Sequence, residues 1–242
     1  MKKIIYTGVD VSQYQNAMSV ENLKNLDFVI IRAGYGKYMK QKDPMFENHY
    51  ATAKAAGKHI GVYWYSYAMT VEDAELEADV FQCVIAGKEF DFPVYFDFEE
   101  PQQLKLPKEQ KKAIIRAFCE KMEKSGYFCG VYTSRSAIQA IGEEIPRRFA
   151  LWLAEWGVDS PNYPENLYGV WQYTDKGLLN NKSGFVDLNY AVIDYPELIK
   201  KNGLNNCPVE KPKATKAQQL YRKWLTLSEQ EKKDFESLVK EG

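Results

Sequence analysis

The segment PVYFDFEE, residues 93–100, is where this chain concentrates residues able to do chemistry. Alternate side chains of a strand share a face. Tyr95, Asp97 and Glu99 therefore point one way, and Phe96, Phe98 and Glu100 the other. Two carboxylates held together at a strand end raise each other's pKa. Such a pair serves metal binding or acid–base work; the plain alternative is two exposed loop carboxylates. Two further acids stand at comparable places, Asp10 in GVDVSQ and Asp187 in FVDLN. Each has an ordinary reading, Asp10 in a turn and Asp187 bonding loop amides. If the first and last strands are neighbours in a closed sheet, the two lie side by side, across a mouth from Asp97 and Glu99.

Aromatic residues make up 14% of the chain, and many of them end strands. Tyr63, Trp64, Tyr65 and Tyr67 close the third strand, Tyr132 the fifth, Trp156 the sixth, and Trp171 and Tyr173 the seventh. Their flat faces suit pyranose rings while their polar tips hydrogen-bond. Alternation sends about half of them toward surrounding helices. Tyr63, Tyr65, Tyr67, Tyr132 and Tyr173 are expected on the mouth side, with Trp156 as a further sugar contact. Acids ringed by aromatics fit hydrolysis of a neutral polysaccharide. Phosphate chemistry would call for basic residues and a glycine-rich loop, and GYGK at 34–37 lacks the required spacing. His49 and His59 are the only histidines, and Cys83, Cys119, Cys129 and Cys207 form no close pair. A histidine-rich metal site and a Ser-His-Asp triad are both disfavoured, and neither a metal nor another cofactor is expected.

The elements that must position these residues alternate along the chain. Strands are expected at 8–13, 28–34, 59–67, 93–98, 128–133, 149–156, 168–174 and 185–190. Helical patterns fall at 43–56, 71–84 and 108–125, with a short one near 134–141. The first five connections can mostly hold helices. The last two gaps are short for a crossover, which takes at least about 10–12 residues. The expected fold is an α/β barrel with five βα units and three irregular closing strands, including antiparallel pairing; an open doubly wound sheet is the alternative. Residues 1–202 would form this barrel and 203–215, rich in Asn, Pro and Lys, a linker. Residues 216–242 would form a helical hairpin whose second helix opens on a Ser228/Glu231 capping box. A hairpin that small cannot bury a core alone. It would dock on the barrel, on a copy of itself or on a target surface.

Lys and Arg number 32 against 33 Asp and Glu, a formal net charge of −1, which argues against a nucleic-acid partner. No run approaches the roughly 18 apolar residues of a membrane span, so no membrane partner is expected. Lys2 and Lys3 are followed by Ile4 and Ile5 but by no longer apolar stretch, so no secretion signal is read. The expected location is the cytoplasm, with release at lysis.

Taken in order, GVDVSQYQ, DFVIIRAGYG, GVYWYSY, PVYFDFEE, GVYTS, LWLAEW, GVWQYT and VDLNYA resemble the motifs of glycoside hydrolase family 25, the endolysin- and autolysin-type lysozymes. The resemblance covers about residues 4–200. It implies an irregular (β/α)5(β)3 barrel that hydrolyses the β-1,4 bond between N-acetylmuramic acid and N-acetylglucosamine, with bacterial peptidoglycan as partner. It implies Glu99 as catalytic acid, Asp97 as the acid before it, Asp10 and Asp187 as supporting aspartates, and Tyr63 and Tyr132 in the sugar groove. Trp64 and Ser66–Tyr67 depart from the pattern, standing where many members have a His and an Ala-Arg pair. Two other functions compete: a metal-dependent carbohydrate deacetylase, and a glycan-binding barrel without catalysis. The hairpin could serve wall binding or self-association.

Overall fold

The computed structural model describes residues 3–209 and residue 228. Eight strands close into one barrel in sequence order: β1 (Tyr6–Val11), β2 (Phe28–Tyr35), β3 (His59–Tyr65), β4 (Val94–Asp97), β5 (Cys129–Ser134), β6 (Ala150–Ala154), β7 (Val170–Gly177) and β8 (Val186–Ala191). Neighbours from β1 through β7 run parallel. The last strand, β8, runs antiparallel to both β7 and β1. The open-sheet alternative is therefore set aside.

Helices fill four of the first five connections. They are α1 (Phe46–Ala55), α2 (Val71–Ile85), α3 (Pro101–Leu104) with α4 (Lys108–Lys124), and α5 (Arg135–Ile141) with α6 (Glu144–Arg148). The β1–β2 connection carries only a 3-10 turn, Gln13–Gln15, so the regular five-unit pattern is interrupted at its start. No helix bridges β6 to β7 or β7 to β8. The last helix among the described residues, α7 (Tyr195–Asn202), starts on Asp194, which accepts from the Glu197 amide, and stops at Gly203 in the left-handed region. Thr70 and Ser134 cap α2 and α5 in the same way, using short side chains that accept from orphan amides.

Alternation along the strands builds two apolar layers. Val9, Val29, Ile31, Val62, Phe96 and Phe98 face the helices, where Phe96 stacks on Phe118 of α4 at 4.1 Å. Phe28, Ile30, Tyr95, Trp152 and Val170 fill the interior. The lower interior is tightly occupied: Phe28 stacks on Phe92 at 4.5 Å, and a Cβ on Gly8 would lie 2.5 Å from the Phe28 ring. One step further along several strands the inward residues become polar, at Asp10, Arg32, Asp97 and Gln172, and that change creates the mouth.

The chain stays fastened to the barrel beyond residue 202, which corrects the expected start of the linker. Asn205 is fully buried. Its side chain donates to the Phe92 carbonyl at 2.8 Å and accepts from the Phe128 amide at 2.6 Å. Its backbone bonds Phe90 and Gly126. One asparagine thus satisfies four backbone groups at the barrel's lower end, and Cys207 is buried beside it. The compact unit runs to Val209. The rest of the expected linker and the expected hairpin lie outside the described residues, apart from Ser228.

Candidate active site

At the C-terminal ends of the parallel strands and the N-terminal end of β8, a cavity of about 210 Å³ is lined by Asp10, Asp97, Glu99 and Asp187 together with Arg32 and Tyr63. The antiparallel return of β8 sets Asp187 directly opposite Asp10 in the register. The four acids expected at one mouth are brought together there.

Their surroundings differ. Asp10 is buried, and its Oδ2 accepts from Gln172 Nε2 at 2.9 Å and Asn189 Nδ2 at 2.8 Å. Burial and the Asp187 carboxylate still push its pKa well above the usual range. Burial lifts Asp187 to about 6, with Asp10 pulling it the other way, so the two titrate as a pair. Burial also raises Asp97 strongly, helped by Glu99 and Asp10, with Arg32 pulling the other way. Its Oδ1 is buried and has no hydrogen-bond partner among the described residues. Glu99 lies higher, at the rim. Burial, then Asp187 and Glu100, raise it to about 7.

The aromatics sort by strand parity. Tyr63, Tyr65 and Tyr132 line the acid cavity, while Tyr67 sits beside Tyr65, exposed, with ring centroids 5.1 Å apart. Trp156 is half-exposed and borders a second cavity of about 460 Å³ that also includes Glu99 and Tyr132. Tyr173 is not at the mouth, which corrects the expectation for it. Gln172 occupies the inward position of β7. Its neighbour Tyr173 turns outward and stacks on Tyr190 at 4.1 Å, beside Trp171. Trp64 is also outward, packed on Phe81 with its indole N–H donating to the Gly36 carbonyl at 2.9 Å. The departure from the family pattern at Trp64 thus leaves the mouth untouched. Glu100 is not remote, contrary to strict alternation: Tyr65 Oη donates to it at 3.1 Å. The strand ends at Asp97, so its parity no longer governs residue 100.

Sequence reasoning overlooked the groups that hold the acids. Gln172, besides donating to Asp10, accepts from Tyr132 Oη at 3.0 Å and Trp156 Nε1 at 3.1 Å. Asn189 accepts from Trp152 Nε1 at 2.7 Å, and the Trp152 ring floors the cavity against Tyr63 and Tyr132. Arg32 is clamped by Asp43, its Nε donating to Oδ2 at 2.7 Å. Arg32, Trp152, Gln172 and Asn189 all stand inside the quoted motifs. The available signal was an amide or guanidinium in an otherwise apolar strand. The two histidines serve the scaffold: His49 bonds the Ser12 carbonyl and His59 pairs with Asp91. Among the described residues no three His, Cys, Asp or Glu side chains are grouped to hold a metal ion.

A closed barrel with a cluster of carboxyls of raised pKa at its mouth and aromatic walls beside them has the make-up of a glycosidase. The family model for glycosyl hydrolases family 25 matches residues 9–182, and the chain belongs to that family. The autolytic lysozyme of Clostridium acetobutylicum is 28% identical over 184 residues, 75% of this chain and 54% of that protein. This chain therefore spans about half the length of that relative. The crystal structure of the CTP1L endolysin superposes with a TM-score of 0.68 at 26% identity, covering 81% of this chain and 70% of the other. The lysozyme of Streptomyces coelicolor shares the fold, with a TM-score of 0.70 at 24% identity over 83% of this chain and 97% of its own.

Proposed function

We propose that this chain is a peptidoglycan muramidase that cleaves the β-1,4 bond between N-acetylmuramic acid and N-acetylglucosamine. The observation that carries the reading is the setting of Glu99, a carboxyl raised to about 7 at the border of two cavities, beside buried Asp97. A carboxyl held neutral near working pH can protonate a glycosidic oxygen. Glu99 gives its proton to that oxygen as the bond to the anomeric carbon breaks. Asp97, drawn to its ionised form by the charge developing there and by Arg32, stabilises that carbon or orients the substrate's acetamido group. The Glu99 carboxylate then takes a proton from the incoming water. Asp10 and Asp187 hold a shared proton and a fixed charge beneath the ring. Tyr63, Tyr65, Tyr67, Tyr132 and Trp156 supply stacking and hydrogen-bonding surface for the sugars.

The relatives' names, autolytic lysozyme and endolysin, support bacterial wall as the substrate. They are also consistent with a protein kept in the cytoplasm until lysis. In this reading the C-terminal segment adds wall binding or self-association. No helix among the described residues is long and apolar enough to cross a membrane. Mass spectrometry of fragments released from purified walls tests the proposal. Products with a reducing N-acetylmuramic acid end support it; free acetate with intact glycan, or binding without release, would replace it with another activity.

A further inference from the structure

Resting on the muramidase reading, the cavities beyond Glu99 say more about which wall glycan is preferred. Asp97, Asp10 and Asp187 line only the smaller cavity, so the ring that keeps the anomeric carbon sits there. The 460 Å³ cavity contains Glu99 and Tyr132 but none of those three acids, which makes it the leaving-group side. It continues into a third cavity of about 280 Å³, with Arg135 and Gln139 lining both. The sign of the lining charge changes along this path. The mouth holds four carboxyls, whereas the third cavity is lined by Lys108 and Arg135 with a single acid, Glu143. Glu143 is already engaged by Arg147 at 3.1 Å. Glu155, the other acid of the second cavity, accepts from the Asn162 amide at 2.8 Å.

Arg135 is held ready. Its Nε donates to the Asn162 carbonyl at 2.7 Å, and its guanidinium lies over the Tyr163 ring at 5.1 Å. Lys108 acts on the nearby Glu144 carboxylate, whereas Arg135 makes no ion pair with a carboxylate among the described residues. A neutral sugar requires no cation at this place. In the wall polymer the first ring past the cleaved bond is an N-acetylglucosamine without a peptide. The second is an N-acetylmuramic acid that bears the acidic stem peptide.

We propose that Arg135, at the junction of the second and third cavities, binds a carboxylate of that stem and makes the enzyme prefer glycan strands that still carry peptides. Arginine suits this because its planar fork pairs with carboxylates in two-point geometry.

The test compares kcat and KM on purified glycan strands with intact stems and on the same strands stripped of stems by an amidase. Wild type should show a KM about 5–20-fold lower on the stem-bearing strands, an advantage that shrinks in high salt. Arg135→Gln should erase that advantage with kcat little changed and activity on stripped strands retained, while Arg135→Lys should keep part of it. Equal KM values for wild type on the two substrates would overturn the proposal. So would an Arg135→Gln loss of the same size on both, which would mean the side chain only braces the Asn162 loop. Wild type releasing no reducing ends from either substrate would instead overturn the muramidase reading itself.

Discussion

Glu99 and Asp97 differ by two positions in sequence and by much more in setting. Asp97 is buried and lines only the acid cavity, whereas Glu99 borders both cavities. In the proposed reaction this setting makes Glu99 the proton donor and gives its replacement a defined signature. Glu99→Gln keeps size and polarity but removes the transferable proton, so kcat on wall fragments should fall about 10²–10⁴-fold. The wild-type pH profile should turn down on its alkaline side near pH 7, where Glu99 loses its proton. Stability follows the same group. Its folded pKa lies above the ordinary 4.5, so its contribution is complete below pH 4.5 and is lost as pH rises through about 7. Thermal melts should therefore show Glu99→Gln more stable than wild type at pH 8, with the gap closing toward pH 4.5. A gap that widens on acidification would contradict the assignment. Activity should also survive EDTA, since a carboxyl that protonates an ether oxygen works without a Lewis acid; loss restored by one divalent cation would favour the metal-dependent deacetylase.

The strands turn these acids into a site. Running β8 antiparallel places Asp187 opposite Asp10 and brings Asn189 within reach of both Asp10 and Trp152. Asn189 is fully buried, and Asn189→Ala would leave the Trp152 indole N–H without an acceptor and Asp10 with one donor fewer. Each buried group so stranded costs about 1–3 kcal/mol. Urea unfolding should thus show a loss of roughly 2–4 kcal/mol, with reduced turnover because Asp10 and the Trp152 floor both move. A change within about 0.5 kcal/mol would mean the two bonds are not formed in solution. The β7 strand makes the complementary point: Gln172 takes the inward position and its aromatic neighbours build the outer layer with Tyr190.

At the scale of the barrel, its lower end is closed by the chain that follows α7. Asn205 bonds Phe90, Phe92, Gly126 and Phe128 at once. Truncation after Val209 should leave a folded barrel that still hydrolyses soluble wall fragments. Truncation after Gly203 removes Asn205 and strands buried backbone groups, so it should lower Tm by about 5–15 °C, taking roughly 2–4 °C per kcal/mol for a chain of this size. Differential scanning calorimetry of the two shortened proteins decides this. Equal melting temperatures would show that the 204–209 segment adds little.

The catalytic candidates were legible in the one-dimensional chain because alternation in a strand is local. Tyr95 and Asp97 share a face by alternation alone, Glu99 follows two residues past the strand end, and eight ordered motifs point to one family of barrels. An α/β barrel with irregular closing strands was within reach of the strand and helix pattern, whereas the parallel pairing of β6 with β7 was not. What the chain alone could not supply was the choice between its two faces in β7, the partners of the acids, and the place where the domain stops. Tyr173 and Gln172 are adjacent, and either parity gives a plausible strand; packing against Tyr190 selects one. The Asp10 carboxylate is held by Gln172, 162 residues away, and by Asn189, 179 residues away. Asn205 reads as linker composition until its bonds to Phe92 and Phe128 are seen. Periodicity is a property of neighbours in sequence, whereas hydrogen-bond satisfaction and burial depend on which distant segments closure of the barrel brings together.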